Sequence, residues 1–275
     1  MINLKLPKKL KLKSQYNNKT QVQNNKIFKS FFYKIGLSDI YEESQKKILL
    51  TDKRISTYPH IPDLKDLYYL YNLIVLNNRI SILEYGTGWS SLIIYKALLF
   101  NKNKNKKKYY TRADNPYSLD IIDNSKKFLK ISKERLDKNF GKKNNIKFNY
   151  SPVKMTKFND HFASHYTKHP VKNPDFIFLD APNSFYVGGK VDNFTVNSFG
   201  MMPMACDILK FEFFLIPRTI IMSDGRAGNI QFLLKNFKRN WRHINLYNNS
   251  INILYLDEPS YGVFNDEQNK FHSQE

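Results

Sequence analysis

The residues whose types and spacing could do chemistry are concentrated between positions 80 and 92. An apolar run over residues 80–83 ends at Glu84, and two glycines separated by one residue follow as Gly86 and Gly88. A second apolar run begins at residue 92. This order predicts a strand, a glycine turn and a helix, so that the backbone approaches a nucleotide-like ligand closely and helical N–H groups point toward it.

Polar side chains also end the other strand-like runs of the chain. In a doubly wound sheet, ligands bind beyond the carboxyl ends of the parallel strands. Any single polar residue there could be a helix cap or a turn residue, but a polar residue at every strand end predicts a ligand-binding rim. These residues are Glu84, Asp120, Ser151, Asp180 and Asp224.

The spacing of apolar residues predicts the elements that position this rim. Helices are expected over residues 62–75, 92–100, 125–136, 208–215 and 232–241. Strands are expected over residues 80–84, 117–122, 146–150, 176–180 and 219–224, followed by a hairpin over 244–247 and 251–256. The alternation predicts an α/β fold with a doubly wound, mostly parallel seven-stranded sheet and a C-terminal antiparallel hairpin.

Segments of different composition flank this alternating pattern. Residues 1–36 are basic and predict a poorly ordered arm with a short amphipathic piece near residues 27–32, and residues 37–61 form an extension. The predicted domain covers residues 62–258, and residues 259–275 are expected to be a tail.

Bulk composition excludes some classes of protein. Hydrophobic residues make up 41% of the 275 residues, which is enough for a full core. No apolar run approaches the roughly 20 residues of a membrane-spanning helix, and no apolar segment typical of a secretory signal follows the basic N-terminus. The single cysteine, Cys206, excludes an intrachain disulfide and favours a cytoplasmic location.

The formal net charge of +20 has two interpretations. It could attract a polyanion such as nucleic acid, with the basic arm as the contact. It could instead reflect lysine- and asparagine-rich coding, since lysine is spread through stretches such as residues 101–108. Lysine far outnumbers arginine, which favours the second interpretation.

The glycine turn is similar to the first motif of class I S-adenosylmethionine-dependent methyltransferases. The matching pattern, Glu84-x-Gly86-x-Gly88-x-Ser90, has an acid, two glycines and a small residue at the first strand-to-helix turn. The resemblance covers about residues 60–257 and implies S-adenosylmethionine as the cofactor. It places the turn, including Thr87, against the methionine part, with Glu84 anchoring the polar network beneath it.

The same resemblance assigns roles to the later strand ends. Asp120 would hold both ribose hydroxyls, with Asp123 as the alternative because the Asn/Lys-rich insert stretches the spacing. Pro152 and Val153 would line the adenine. Asp180 would lie next to the reacting methyl group.

A hydroxyl acceptor would need a base to take its proton during attack. The candidates are Asp180, Asp224 and one of three histidines, His161, His165 and His169, which are expected on an exposed loop. A divalent metal is not favoured: Asp180 and Asp224 match two ligands of the metal-dependent relatives, but Gly225 stands where the third would be. Base N-methylation is disfavoured because its motif is missing after Asp180.

Two further features are expected beside the rim. Residues 183–203 form a long polar stretch that predicts a lid or an acceptor wall. Arg226 could bind an anionic acceptor or pair with Asp224.

The sequence therefore predicts methyl transfer from S-adenosylmethionine to a small-molecule or glycan-type acceptor, at a hydroxyl oxygen. The alternatives are an RNA methyltransferase that uses the basic arm and a non-catalytic nucleotide-binding module of the same fold. A dinucleotide-dependent oxidoreductase is less favoured, because Ser91 stands where its glycine pattern needs a third glycine.

Overall fold

Helices and strands alternate through most of the chain. The computed structural model describes residues 10–11, 21–46, 60–105, 115–183, 186–198, 203–246 and 250–273. The helices are α1 (Gln21–Lys34), α2 (Ser38–Ser44), α3 (Leu64–Leu76), α4 (Trp89–Lys104), α5 (Lys126–Phe140), α6 (Asp207–Lys210), α7 (Ala227–Asn236) and α8 (Val263–Ser273). The strands are β1 (Ser81–Tyr85), β2 (Ser118–Asp123), β3 (Ile146–Tyr150), β4 (Val153–Phe158), β5 (His161–Tyr166), β6 (Phe176–Leu179), β7 (Met204–Ala205), β8 (Ile220–Asp224), β9 (Trp241–Leu246) and β10 (Ile251–Leu256).

The main sheet has seven strands in the order β3-β2-β1-β6-β8-β10-β9. Neighbouring strands from β3 to β8 are parallel, and β10 is antiparallel to both β8 and β9. The strand order reverses between β1 and β6, which is the switch point where such sheets bind ligands. The predicted fold class, including the C-terminal antiparallel hairpin, is confirmed.

Side chains of the central strands alternate between two cores. On one face, Ile82 of β1 and Phe178 of β6 pack in a cluster with helices α3 and α4. On the other face, Leu83 and Ile177 pack against the α7 side. Strand β1 is buried throughout, as expected of a parallel strand covered on both faces. The sheet edge at the switch point is therefore held rigidly from both sides.

A second, three-stranded sheet in the order β4-β5-β7 lies after β3. Met155 of β4 and Tyr166 of β5 are buried in the same cluster as Leu179 of the main sheet. The sequence predicted an exposed loop here, and that prediction is wrong. His161 and His165 lie on β5 instead.

The segments outside residues 62–258 also contribute packed helices. Phe32 of α1 is fully buried, and the Phe31 and Tyr68 rings meet edge-on with centroids 4.7 Å apart. At the other end, His272 of α8 is buried, and its Nδ1 lies 3.1 Å from the backbone oxygen of Asn78. The described parts of the predicted arm and tail thus pack onto the domain, because their aromatic and polar side chains find buried partners. Residues 1–9 and 12–20 of the arm lie outside the described residues.

Several helix limits differ from the predicted ones. Helix α4 continues to Lys104, into the Asn/Lys-rich stretch, and residues 106–114 of that stretch lie outside the described residues. Trp241 begins β9 rather than ending a helix. The helix expected over 208–215 is a short α6 followed by a 3-10 turn at Glu212–Phe214. Within the described ranges, none of the helices has the length and hydrophobicity that crossing a bilayer requires.

Candidate functional site

A cavity of about 990 Å³ opens at the carboxyl ends of β1, β2, β6 and β8. Its wall is formed by the segment that leads into α3, the β1–α4 turn, the β2–α5 turn and the residues that follow β6 and β8. A volume near the upper end of the usual range for ligand pockets can hold a nucleoside-sized cofactor together with part of an acceptor.

Gly86 and Gly88 of the β1–α4 turn are required for different reasons. Gly86 has a φ of +92°, and a Cβ added there would lie 3.0 Å from the Cβ of Ala181 and 3.2 Å from the carbonyl carbon of Asp180. Gly88 lines the cavity, and apart from its two chain neighbours no heavy atom of the described residues lies within 4 Å of a Cβ built on it. Gly86 therefore lets two loops touch, whereas Gly88 leaves cavity space open to a ligand.

Glu84 lies beneath this turn and is fully buried. Its carboxyl group accepts hydrogen bonds from Ser90 Oγ at 2.5 Å and from Ser91 Oγ at 2.7 Å. Burial raises the pKa of Glu84 to about 8, although the two serine hydrogen bonds act in the opposite direction. The cavity wall is formed by Thr87 and Ser90 rather than by Glu84 itself. Glu84 thus positions the start of α4, and its predicted role in anchoring the cofactor stays a prediction.

Asp123, not Asp120, stands at the carboxyl end of β2. The strand continues three residues beyond the predicted Asp120, which pairs in register with Leu83. Asp120 does not line the cavity, and its carboxylate lies 3.1 Å from Lys172 Nζ. The predicted position of Asp120 at the rim is therefore wrong.

The Asp123 side chain accepts backbone hydrogen bonds from Thr87 of the β1–α4 turn and from Ser125 of the β2–α5 turn. It lines the cavity, and its Oδ1 accepts a hydrogen bond from Ser125 N at 2.6 Å. Burial raises the pKa of Asp123 to about 7, and the charge of Asp180 acts in the same direction. Asp123 is the alternative that the sequence offered for the ribose.

Pro152 and Val153 do not line the cavity. Strand β3 ends at Tyr150, and Val153 is a buried residue that begins β4 and pairs with Tyr166. Val153 thus belongs to the second sheet, and the predicted contact of the two residues with the adenine stays a prediction. The cavity beside Asp123 is lined instead by Asn124, Ser125, Phe128 and Tyr186.

Asp180 and Arg226 form one unit across the ends of β6 and β8. Arg226 Nη2 donates hydrogen bonds to the backbone oxygens of Asp180 at 2.7 Å and Pro182 at 3.0 Å. Its Nε lies 3.7 Å from Asp180 Oδ1, and the Asp180 side chain is 52% exposed. Arg226 therefore pairs with Asp180 rather than with Asp224, and its guanidinium group is held by hydrogen bonds to the loop after β6.

Asp224 faces Asp66 of α3, which was not among the predicted site residues. The two carboxyl groups share a hydrogen bond, and burial raises the pKa of Asp66 to about 9, with the charge of Asp224 as the next cause. Asp63 caps α3 by accepting hydrogen bonds from the backbone N–H of Lys65 and of Asp66. The signal in the sequence was an acid on the otherwise apolar face of the helix.

The three histidines lie away from the cavity wall. His169 Nδ1 is 2.9 Å from the Pro170 backbone oxygen, and its Nε2 is 2.5 Å from the Tyr85 hydroxyl. Burial lowers the pKa of His169, so the ring is neutral and its Nε2 accepts a hydrogen bond from the Tyr85 hydroxyl. Among the described residues, no group of three or more His, Cys, Asp or Glu side chains is arranged to hold a metal ion.

The long segment after β6 is anchored to the second sheet. Gly188 exchanges backbone hydrogen bonds with Val153 and Met155, both at 2.8 Å. Asn183 and Tyr186 of this segment line the cavity. Residues 184–185 and 199–202 of the predicted lid lie outside the described residues. The described part forms a wall of the cavity, and its role as a lid remains a prediction.

The sheet order, with the antiparallel strand β10 inserted between β8 and β9 and a glycine turn after β1, decides the architecture. The chain has the class I methyltransferase fold. No protein-family model matches the sequence, and no curated protein matches it.

Several solved structures of proteins described as methyltransferases are similar to this fold. One is a methyltransferase from Geobacter sulfurreducens, with 9% identity, a TM-score of 0.39 and coverage of 88% of this chain and 93% of that one. Another is a proposed SAM-dependent methyltransferase from Streptococcus mutans, with 10% identity, a TM-score of 0.40 and coverage of 71% and 48%. A third, described as complexed with SAH, has 11% identity, a TM-score of 0.39 and coverage of 70% and 48%.

These similarities are remote. This chain spans about half the length of the second and third proteins. Identities of 9–11% and TM-scores at or below 0.40 are too low to establish a family or an activity.

Proposed function

We propose that the chain transfers the methyl group of S-adenosylmethionine to a hydroxyl oxygen of a small-molecule or glycan-type acceptor. The observation that supports this most is the convergence of the Gly86–Gly88 turn, Asp123 and Asp180 on one cavity at the switch point of the sheet. A fold of this kind hosts many activities, so the site residues carry the proposal rather than the fold.

The residues at the cavity fit S-adenosylmethionine in shape and chemistry. The open space over Gly88 leaves room for the methionine part against the first turn of α4, whose N–H groups are available to its carboxylate. The Asp123 carboxyl group would accept the ribose hydroxyls, and Asn124 and Phe128 would line the adenine. The cofactor supplies an activated methyl group, so the protein has to bind, orient and exclude water.

Asp180 is the base that we assign to the acceptor. As the acceptor oxygen forms its bond to the methyl carbon and the carbon–sulfur bond breaks, the hydroxyl proton has to leave. The half-exposed Asp180 carboxylate lines the cavity and can take that proton. Asp224 is the second candidate, but it already shares a hydrogen bond with Asp66.

An RNA substrate is not favoured by the charge of the cavity. Its wall carries several carboxyl groups, and the Arg226 guanidinium among them is engaged with Asp180 and its loop. Phosphates would be repelled by such a wall.

The single cysteine, Cys206, is buried, and a cytoplasmic location is part of the proposal.

Calorimetric titration of the whole chain with S-adenosylmethionine, S-adenosylhomocysteine and NAD tests the cofactor. We expect micromolar-range binding of the first two and none of NAD. Binding with no methyl transfer to any hydroxylated acceptor would support the non-catalytic module instead. Absence of binding to both sulfur nucleosides would refute the proposal.

A further inference from the structure

The cavity is acidic although the protein is strongly basic. The chain carries a formal net charge of +20, yet the wall between α3 and the ends of β6 and β8 presents Asp63, Asp66, Asp180 and Asp224. Asp63 caps α3, and Asp180 is paired with Arg226. Those local roles leave the Asp66–Asp224 pair without a structural explanation.

Asp66 is buried, and one of its two carboxyl oxygens lacks a hydrogen-bond donor among the described residues. The residue is 4% exposed and lines the cavity, and its Oδ1 accepts no hydrogen bond from any residue that the structure describes. Lys65 Nζ lies 3.9 Å from that oxygen, beyond hydrogen-bonding distance, and donates to Ser250 Oγ at 3.0 Å. A buried carboxyl oxygen with no donor is costly, so a donor supplied by a ligand would be bound strongly there.

The protonation of the Asp66–Asp224 pair determines the charge of the hydrogen-bond donor that can bind to it. Burial, the charges of Asp224 and Asp63, and the shared hydrogen bond all raise the pKa of Asp66, whereas Lys65 lowers it. Burial also raises the pKa of Asp224, and Lys65 and Arg226 act against that rise. Because two carboxylates in contact repel each other, the pair favours holding a proton between them. A cationic donor can replace that proton and bind to both carboxylates.

We propose that Asp66 and Asp224 bind an ammonium group of the acceptor, so that the acceptor is an amino alcohol or an amino sugar. This inference rests on the proposed function, since the hydroxyl of the same molecule would be the methylated group. An ammonium group has three N–H donors, enough for Asp66 Oδ1 and the Asp224 carboxylate. When the ammonium binds, the shared proton leaves to solvent and the charge of the site stays balanced.

Three small probes of matched size test this charge preference: ethanolamine, ethylene glycol and glycolate. Each is titrated into the full chain, with and without saturating S-adenosylhomocysteine, and binding is followed by ligand-observed NMR and calorimetry. We expect ethanolamine to bind at least about tenfold more tightly than ethylene glycol, and glycolate to bind most weakly. Calorimetry near neutral pH in buffers of different ionisation enthalpy should show proton release with ethanolamine alone.

Two variants locate the effect, and a third is the control. Asp66→Asn and, independently, Asp224→Asn should reduce ethanolamine binding to the level of ethylene glycol and abolish the proton release. Asp160→Asn, an exposed acid on the β4–β5 turn, should change neither. Equal binding of the three probes, no binding of ethanolamine, or an unchanged preference in both cavity variants would overturn the inference.

The proton release is measured on the unmodified protein, so the test does not depend on a variant that folds poorly. Failure of this inference is also distinguishable from failure of the proposed function. Binding of S-adenosylhomocysteine without any preference for ethanolamine would refute the ammonium site alone. Loss of S-adenosylhomocysteine binding with the preference intact would refute the cofactor assignment alone.

Discussion

Of the alanine substitutions at the two glycines of the β1–α4 turn, Gly86→Ala should mainly destabilise the fold and Gly88→Ala should mainly weaken ligand binding. At Gly86 the backbone has a φ of +92°, and the new Cβ would meet Ala181 Cβ at 3.0 Å and the Asp180 carbonyl oxygen at 3.2 Å. Left-handed backbone strain costs about 1–2 kcal/mol and overpacking about 1–3 kcal/mol. We therefore expect Gly86→Ala to lower the free energy of unfolding by about 2–5 kcal/mol.

At Gly88 the same substitution should spare the fold and impair the site. Its φ of 176° is extended, and the added Cβ would enter the cavity without touching a described residue. The free energy of unfolding should change by less than about 1 kcal/mol, since the loss of an N-terminal capping glycine and the stiffer unfolded chain act in opposite directions. A ligand packed over the turn would lose about 1–3 kcal/mol, or roughly five- to 150-fold in Kd.

The assays are urea unfolding followed by circular dichroism and calorimetric titration with S-adenosylhomocysteine. Each variant is the control for the other, because both add one methyl group to the same turn. Wild-type stability in Gly86→Ala would refute the steric reasoning about the contact with Ala181. Wild-type affinity in Gly88→Ala would show that the cofactor does not lie over this turn.

Three further predictions concern the rim, the buried acids and α1. Asp123→Asn should weaken S-adenosylhomocysteine binding at least about tenfold in calorimetry, because a charge-assisted hydrogen bond to the ribose is lost. Asp120→Asn should lower Tm and leave Kd unchanged. A weaker Kd in Asp120→Asn together with an unchanged Kd in Asp123→Asn would show that Asp120 holds the ribose. Burial raises the pKa of Asp66 from 3.8 to about 9 and that of Glu84 from 4.5 to about 8, so the folded state holds extra protons. The urea midpoint should fall as pH rises from about 4 to about 9, less steeply in Asp66→Asn; a midpoint that rises across this range would contradict the assignment. Phe32→Ala should cost about 3–5 kcal/mol in urea unfolding if α1 belongs to the folded domain, and a loss below about 1 kcal/mol would show that it does not.

The part of the site that could be predicted from sequence depends on local order along the chain. The strand, the two glycines and the helix that follows are consecutive, so Gly86, Gly88 and Ser90 could be placed without knowledge of the rest of the fold. The doubly wound, mostly parallel class of the sheet followed from the alternation of elements and the handedness of their crossovers. Asp180 ends a continuous apolar run and Asp224 ends a largely apolar one, so both could be placed in the same way.

The misplacement of Asp120 has a different cause. Both Asp120 and Asp123 follow apolar residues, and the difference between them is only where the pairing of β2 with β1 and β3 ends. A strand end is fixed by hydrogen bonds to neighbouring strands that are distant in sequence, so composition within the segment cannot locate it.

The second sheet and the acidic pair were missed because their partners are far apart in the chain. Strand β7 pairs with β5 across about 40 residues, and only two residue pairs define it. Asp66 gains its significance from Asp224, which is brought beside it when α3 packs over the sheet edge. Such contacts depend on tertiary packing, and no local pattern contains them.

A crystal structure of the chain with S-adenosylhomocysteine is the most direct test of the central claim. We expect the ribose hydroxyls within hydrogen-bonding distance of the Asp123 carboxyl group, and the amino-acid part over Gly88 and the first turn of α4. A nucleoside bound elsewhere on the chain, or one whose ribose is held by a residue other than Asp123, would contradict this account of the site.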